Sequence, residues 1–488
     1  MKNKKNSKKP EKQKKSSKSD KLSSKDLLSL GYPSGKPTGT ALNLIHTFYT
    51  DLGKRHQIEL LQDVLAAPEQ YQMHTTLAPL AQAILAQKEA APIALKTDKP
   101  KYAVYGAEGI EQGALDQMNI AMRLPVTRGG ALMPDAHQGY GLPVGGVLAT
   151  HNAVIPYGVG VDIGCRMSMS IFDIHTGYID KNRERLIKML TDSTRFGNTS
   201  FKRPIDHEIM SRPEFHEIPV VRELKDRAFQ QLGTSGGGNH FVEFGTVELH
   251  EADNEFNLPS GKYLAILSHS GSRRLGANVA GYYTKVAMDA CPLPQEAKHL
   301  AWLDLDSEAG QEYWLAMNLA GDYASACHHQ IHERLAAQLG ETPIARIENH
   351  HNFAWKEKDA KGQEVIVHRK GATPAGKGVI GIIPGTMATP GFIVRGKGEA
   401  AAINSASHGA GRTMSRTKAI KTLSPPDMRQ FLKKAGVDLV GAGLDEAPMA
   451  YKDIHQVMTY QQDLVEVVGT FYPKIVRMNE DKKYVEVD

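Results

Sequence analysis

The sequence predicts an α+β fold, in which one large domain of mixed sheets and surrounding helices follows a small helical region and a lysine-rich tail. From about Lys101, short β-branched runs alternate irregularly with helical stretches and glycine-rich loops, which favours α+β over a doubly wound sheet. Before that point, apolar residues recur at helical spacing. We therefore predict a disordered tail over residues 1–25, a helical extension over 26–100 and a large domain over 101–488.

The tail is predicted from its charge. Residues 1–25 contain 11 lysines against Glu11 and Asp20, a net charge of +9 within a chain whose total is +5, so the remainder is near −4. A segment with almost no apolar residues cannot offset its ordering entropy by burial. It could contact RNA or ribosomes through phosphates, or serve only to keep the chain soluble; the charge alone favours neither.

Individual elements follow from local pattern. In the extension, Leu61, Val64, Leu80 and Ile84 belong to helical stripes. In the large domain we predict strands at 144–147, 154–163, 264–267 and 379–383, helices at 183–190, 316–339 and 426–435, and a long structured loop at 385–398. Cys327, His328, His329 and His332 fall within a helical pattern and are interpreted as helix residues rather than metal ligands.

Composition excludes several classes of protein. No apolar run approaches the roughly 18 residues of a membrane helix, and no apolar segment follows the basic N-terminus as in a signal peptide. The three cysteines, Cys165, Cys291 and Cys327, are too few and too scattered for a disulfide framework. We expect a cytoplasmic protein with no membrane partner, in which a functional cysteine would be a metal ligand.

Six short segments place metal-binding or phosphate-binding side chains beside glycine or beside one another. They are 133–137, 161–165, 232–240, 268–273, 348–352 and 405–412. Asp162 and Cys165 lie three apart after an apolar, strand-like run, so a tight turn could direct both to one site. With imidazoles of His240, His269 and His351, the ligands would be mixed sulfur, nitrogen and oxygen, which suits Mn²⁺, Zn²⁺, Co²⁺ or Fe²⁺ better than Mg²⁺ or Ca²⁺.

Phosphate binding is indicated by the same segments. Glycines around Asn239 and at 409–411 permit close backbone approach, and a thiolate can bridge two ions that would clamp a phosphoryl group. Nearby basic side chains are candidates for binding phosphates. They are Arg273, Arg369, Lys370, Arg412 and Arg416.

Taken in order, these segments resemble the RtcB family of tRNA-splicing and RNA-repair ligases. The resemblance covers roughly residues 101–475 and rests on an ordered series of motifs. They are PDAHQGYG at 134–141, GVDIGC at 160–165, GNHFVE at 238–243, HSGSR at 269–273, HRKGAT at 368–373, IPGTM at 383–387, SHGAGR at 407–412 and EAPMAYKD at 446–453.

The resemblance implies that 101–488 is the catalytic domain and that His408 attacks GTP to become a covalent guanylate. It implies two Mn²⁺ ions, or other divalent transition metals, held by Asp162, Cys165, His240, His269 and His351. For Asp135 and His137 it implies a role in the metal shell or in positioning the RNA end. Guanylate contacts are implied for Asn239, Phe241, Glu243, Thr386, Gly409, Ala410 and Tyr451.

The implied reaction joins a 2′,3′-cyclic phosphate or 3′-phosphate of tRNA or other cleaved RNA to a 5′-hydroxyl, with an archease-like activator as a possible partner. The sequence departs from the family pattern at Ser407, commonly Cys, and at Pro374, often Arg, and it continues beyond the usual terminal Lys-Gly, where Lys482 or Lys483 could substitute. These departures favour a divergent, repair-type member. Two alternatives stay open: a metal-dependent phosphoesterase acting on RNA ends, and a non-catalytic RNA- or ribosome-binding protein.

Overall fold

The computed structural model of the chain describes residues 22–33, 36–89, 93–98, 101–250 and 255–480. Residues 1–21 of the tail that is predicted to be disordered lie outside the described residues. Contacts divide the chain into two compact units, Met1–Pro92 and Ile93–Asp488. Residues 93–98 belong with the larger unit, because Ile93 N donates to Pro292 O at 2.8 Å and Lys96 N to Arg123 O at 2.7 Å.

The smaller unit is helical, as the apolar stripes predict. Its helices are α1 (Ser24–Ser29), α2 (Lys36–Phe48), α3 (Lys54–Ala66) and α4 (Ala78–Glu89). Leu61 and Val64 of α3 and Ile84 of α4 are fully buried in one cluster. The first helix begins inside the range assigned to the tail, because Ser23 and Asp26 form a capping box that satisfies its first backbone donors.

The larger unit contains eleven described α-helices and all of the described strands. The helices are α5 (Gln112–Met122), α6 (Pro156–Val159), α7 (Gly177–Lys181), α8 (Arg183–Ser193), α9 (Glu214–Glu217), α10 (Pro219–Gln231), α11 (Arg273–Ala290), α12 (Glu308–Leu339), α13 (Arg416–Thr422), α14 (Pro425–Ala435) and α15 (Ile454–Thr459). The strands are β1 (Ala103–Val104), β2 (Thr127–His137), β3 (Val144–Thr150), β4 (Ala153–Val154), β5 (Arg166–Phe172), β6 (Phe241–Leu249), β7 (Gly261–Ser270), β8 (Leu303–Asp304), β9 (Ala345–His350), β10 (Phe353–Lys358), β11 (Glu364–Lys370), β12 (Ala372–Pro374), β13 (Ile380–Ile383), β14 (Gly391–Gly396), β15 (Ser405–Ser407), β16 (Asp438–Val440) and β17 (Val465–Met478).

The sheets are mixed, so the α+β prediction is confirmed. A five-stranded sheet has the order β1-β2-β3-β11-β10, and an eight-stranded sheet has the order β13-β14-β17-β6-β7-β5-β9 with β16 beside β17. Two-stranded pairs join β12 to β15 and β4 to β8. Only β1–β2 and β16–β17 are parallel among the described pairings. Helix α12 packs against β5 and β7.

Two predicted elements are wrong. Residues 154–163 are not one strand, because Pro156 stands at the first turn of α6, where its missing N–H costs nothing, and Gly160 ends that helix at φ 107°. The segment 385–398 is not one loop, because the apolar run around Ile393 forms β14 between β13 and β17. Among the described residues, no helix combines the length and apolar character that crossing a membrane requires.

Candidate metal centre and nucleotide pocket

Four neighbouring strands bring the predicted metal ligands to one edge of the eight-stranded sheet. Strand β5 starts directly after Cys165 and β6 directly after His240, while β7 carries His269 next to its last residue and β9 ends directly before His351. Neighbours in the order β6-β7-β5-β9 are antiparallel. The starts of β5 and β6 therefore meet the ends of β7 and β9.

The side chains of these residues converge. Cys165 Sγ lies 3.2 Å from His240 Nε2 and 3.1 Å from His269 Nε2. His351 Nε2 lies 3.2 Å from His269 Nε2, and Asp162 Oδ2 lies 3.0 Å from His240 Nε2. The structure thus places all five predicted ligands in one cluster, and the buried group Cys165, His240 and His269 is compatible with metal binding.

Asp162 and Cys165 face the same point because they close a tight turn. Cys165 N donates to Asp162 O at 3.3 Å, and Gly164 between them takes φ 67°, which favours glycine. The turn follows helix α6 rather than the strand-like run that the sequence indicated. Gly271 completes the arrangement, since a β-carbon there would collide with the Asp162 carboxylate.

The protonation states suit metal ligands. Burial holds the pKa of His269 and His351 well below the ordinary value, so both rings are neutral. His269 Nδ1 donates to Asn239 O at 3.1 Å, which leaves a lone pair on the Nε2 atom that faces Cys165. Burial raises the pKa of Asp162, but the contacts with His240 and Cys165 and the charge of Arg273 together hold it below its usual value. These donors fit a borderline transition metal.

His408 lies beside this cluster, with its ring centroid 4.8 Å from that of His351. It follows β15 directly and is held by Asp135, whose Oδ2 accepts from His408 Nδ1 at 2.8 Å, His408 N at 3.1 Å and Gly409 N at 3.3 Å. Asp135 is fully buried and contacts His408 rather than the five-residue cluster. Gly411 allows this approach, since a side chain there would collide with the Asp135 backbone.

Lys452 supports the Asp135 segment, a role that its position in the last motif does not by itself indicate. Its Nζ donates to Pro134 O at 3.0 Å and Ala136 O at 2.7 Å. Burial would raise the pKa of Asp135, but His408 and Lys452 hold it below its usual value. His137 Nδ1 lies 3.1 Å from Asp135 O, and burial lowers the pKa of His137 to about 4. Asp135 is therefore an anionic acceptor beside a neutral His137.

A cavity of about 540 Å³ opens over the cluster and His408. It is lined by six of the seven residues predicted to contact guanylate, namely Asn239, Phe241, Thr386, Gly409, Ala410 and Tyr451. Glu243 is the exception. It lies two residues beyond Phe241 on the same face of β6 and is buried, and burial raises its pKa well above the ordinary value.

Comparisons with known proteins identify the family of the chain. A family model described as tRNA-splicing ligase RtcB matches residues 117–212 and 207–479. The chain is 32% identical over 391 residues to RNA-splicing ligase RtcB of Escherichia coli K12, which covers 74% of this chain and 93% of that protein. The chain belongs to the RtcB family. The tRNA-splicing ligase RtcB of Methanococcus maripaludis is 31% identical over 424 residues, covering 72% and 88%.

The RtcB motifs differ in where they place their cations. Lys370, Arg412 and Arg416 line the cavity. Arg369 does not, because its guanidinium pairs with Glu357 at 2.5 Å and lies 4.8 Å from the Trp355 ring centroid. Arg273 does not either, since it is buried and donates to Thr234 Oγ1 at 3.2 Å and Gly197 O at 2.5 Å.

The departures from the RtcB pattern fall on one small sheet. Pro374 is the last residue of β12 and pairs with Ser405, while Ser407 pairs with Ala372. Ser407 is fully buried, and its backbone N donates to Gln461 Oε1 at 3.0 Å. Both positions therefore lie on the strand pair that directly precedes His408. Lys482 and Lys483 lie outside the described residues.

A second buried network lies behind the predicted metal ligands of this RtcB chain. His328 Nδ1 and His332 Nε2 approach Ser268 Oγ at 2.6 and 2.7 Å, and His332 Nδ1 approaches Ser170 Oγ at 2.8 Å. Ser268 directly precedes His269. The helix histidines are thus in hydrogen bonds that support the ligand-bearing strand, which their i, i+4 spacing allows but does not by itself reveal.

Proposed function

We propose that the chain is a GTP- and Mn²⁺-dependent RNA ligase that joins 2′,3′-cyclic phosphate or 3′-phosphate ends to 5′-hydroxyl ends through a guanylate on His408. One observation carries the proposal: a histidine anchored by a buried carboxylate lies in a cavity beside a mixed Cys, His and Asp cluster. Membership of the RtcB family, whose relatives are named as RNA ligases, supports the same conclusion.

The geometry of His408 supports a nucleophilic role. Asp135 accepts a hydrogen bond from Nδ1 of His408, which therefore carries the proton, so Nε2 keeps its lone pair. In the proposed step, Nε2 forms a P–N bond to the α-phosphorus of GTP, and the bond to the pyrophosphate oxygen breaks. Asp135 stabilises the positive charge that develops on the ring. A 2′,3′-cyclic phosphate is first opened by water to a 3′-phosphate, with the bond to the 2′-oxygen broken. An oxygen of the 3′-phosphate then takes the guanylyl group as the P–N bond to His408 breaks, and the 5′-hydroxyl attacks the RNA phosphorus and expels GMP.

The five clustered residues are proposed to hold the metal ions. Asp162, Cys165, His240, His269 and His351 offer one carboxylate, one thiol and three imidazoles. Bound divalent ions would neutralise phosphate charge and polarise the phosphorus centre. The protein's own contribution is to orient the ligands, through Asn239 O for the His269 ring and the turn at 162–165 for Asp162 and Cys165.

Nucleotide and RNA contacts are proposed from the cavity lining. Asn239, Phe241, Thr386, Gly409, Ala410 and Tyr451 surround the space next to His408, and Glu243 stays a predicted contact behind Phe241. Lys370, Arg412 and Arg416 would balance the charge of phosphates there. Arg412 is oriented by Tyr451 Oη at 3.2 Å and Asp445 O at 2.7 Å.

The test is an end-joining assay with purified chain. An RNA with a 2′,3′-cyclic phosphate and an RNA with a 5′-hydroxyl are incubated with GTP and Mn²⁺, with and without an archease-like activator. We expect a joined product that requires both GTP and Mn²⁺ and is lost in His408→Ala. Opening of the cyclic phosphate without joining would instead favour a phosphoesterase, and RNA binding with no chemical change would favour a non-catalytic protein.

A further inference from the structure

Tyr140 is an exposed aromatic residue at the mouth of the cavity that contains His408. Its side chain is 55% exposed although the ring is large and apolar, and it lines the same cavity as His408 and Lys370. It lies in the turn between β2 and β3, within the first motif, and none of the roles proposed above uses it. An exposed aromatic beside a phosphate-binding cavity is the feature that single-stranded nucleic acid sites use for base stacking.

The turn that carries Tyr140 is held in place from several sides. Gln117 of α5 holds Gly139 with two hydrogen bonds. Gly139 N donates to Gln117 Oε1 at 3.1 Å, and Gln117 Nε2 donates to Gly139 O at 2.5 Å. Gly141 takes φ 70° and has no room for a side chain, because a β-carbon there would lie 2.9 Å from His299 O. The backbone on both sides of Tyr140 is therefore fixed before any ligand arrives.

The ring of Tyr140 is supported by other rings. Its centroid lies 6.3 Å from that of Tyr157 and 6.5 Å from that of His299, and those two rings are 5.3 Å apart. One side of Tyr140 thus packs on aromatic neighbours while more than half of its surface stays open. Such a ring loses little conformational freedom when a flat ligand stacks on the open side.

Lys370 connects this aromatic cluster to the reacting centre. Its Nζ donates to Tyr140 O at 2.6 Å and lies 5.2 Å from the Tyr157 ring centroid. The next residue, Gly371, leaves space so tight that a β-carbon would lie 3.2 Å from His408 Cε1. An RNA phosphate at His408 and a base at Tyr140 would therefore be separated by about the length of the Lys370 side chain. The ammonium of Lys370 would then lie near the RNA backbone that joins the two.

We propose that Tyr140 forms a stacking platform for a nucleobase at the 3′-phosphate end of single-stranded RNA, a subsite that holds the end while His408 acts. This inference rests on the proposed function. The contacts of Tyr140, to Tyr157, His299 and Lys370, are separate from the residues assigned to guanylate, which favours RNA over the guanine of GTP. Because every base has a stacking face, the subsite would tolerate any sequence.

The test measures binding of a fluorescent single-stranded RNA with a 3′-phosphate by anisotropy. We expect Tyr140→Ala to raise Kd about tenfold or more, and Tyr140→Phe to stay within about twofold, because stacking needs the ring and not the hydroxyl. The matched control is Tyr282→Ala, which removes another tyrosine that is 48% exposed, on α11, and is outside the described cavity lining; its Kd should equal that of the unmodified chain.

A second probe, with the last two nucleotides abasic, isolates the stacking contribution. The unmodified chain should bind this probe as weakly as Tyr140→Ala binds the intact probe, and Tyr140→Ala should lose nothing further. Equal affinity of Tyr140→Ala and the unmodified chain for intact RNA would overturn the inference, as would an equal loss on both probes. A defect confined to guanylylation would assign Tyr140 to GTP and also overturn it. If the unmodified chain binds this RNA but never joins it, the proposed function fails and the stacking result is still interpretable.

Discussion

Replacing Asp135 with asparagine should slow guanylylation while leaving metal binding intact. The buried Oδ2 of Asp135 accepts three hydrogen bonds, of which the one from His408 Nδ1 at 2.8 Å fixes which ring nitrogen carries the proton. An amide keeps the shape but loses the charge, and hydrogen bonds to charged groups contribute about 1.5–3 kcal/mol. That range corresponds to labelling of His408 that is about 10- to 150-fold slower.

The assay is single-turnover labelling with α-labelled GTP, run beside a measurement of bound Mn²⁺ by elemental analysis. Asp116→Asn is the matched control, because Asp116 is exposed and accepts a 2.8 Å hydrogen bond from Gln112 within α5. Labelling of Asp135→Asn at the unmodified rate would refute the positioning role. Loss of bound Mn²⁺ in this variant would also refute the positioning role and would instead favour a role for Asp135 in metal binding.

Three further predictions concern the metal centre, acid stability and the tail. Cys165→Ala should lose bound Mn²⁺ and all labelling, whereas the buried control Cys291→Ala should keep both; Mn²⁺ retained in Cys165→Ala would contradict the ligand assignment. In urea unfolding, stability should fall as pH drops from 6.5 towards 4, and His368→Gln should reduce that slope; identical slopes would contradict the role given to His368. Deleting residues 1–21, which leaves the Ser23 cap of α1 in place, should weaken RNA binding at low salt more than at high salt, and unchanged affinity would leave only a solubilising role.

The acid prediction follows from a buried neutral ring. His368 accepts from Ile155 N at 2.9 Å and donates towards Leu148 O at 3.1 Å, and burial lowers its pKa to about 4 from an ordinary 6.5. Between these values the unfolded chain binds a proton that the folded chain does not, so the free energy of unfolding decreases as pH falls. The shift corresponds to a contribution on the order of 3 kcal/mol, complete above pH 6.5.

The clustering of Asp162, Cys165, His240, His269 and His351 could be predicted because each lies in one of the short segments that carry the family resemblance. Cys165, His240, His269 and His351 lie at strand ends, but the strand order that joins them was not predicted, because it depends on pairing between strands that are distant in the sequence. The bond between His408 and Asp135 could not be predicted, since the two residues are 273 positions apart and nothing local in either motif indicates the other.

Predictions from charge and apolar pattern were wrong at positions where contacts with residues distant in sequence, or a single proline, determine the structure. Arg369 appeared available to phosphate, but Glu357 and Trp355, which lie on the neighbouring strand, occupy its guanidinium. The apolar run after Val154 resembled a strand, yet Pro156 turns it into a helix start. His328 was interpreted as a helix residue, which is correct, but its hydrogen bond to Ser268 depends on packing that helical periodicity does not specify.

The site of guanylylation can be determined directly by peptide mapping. The chain is incubated with α-labelled GTP and Mn²⁺, digested, and the labelled peptide is identified by mass spectrometry, with His455→Ala as the control for an exposed histidine outside the described cavity lining. We predict an acid-labile, alkali-stable guanylate on His408 that is absent from His408→Ala and present in the control. No adduct on the unmodified chain, or an adduct that persists in His408→Ala, would contradict the account.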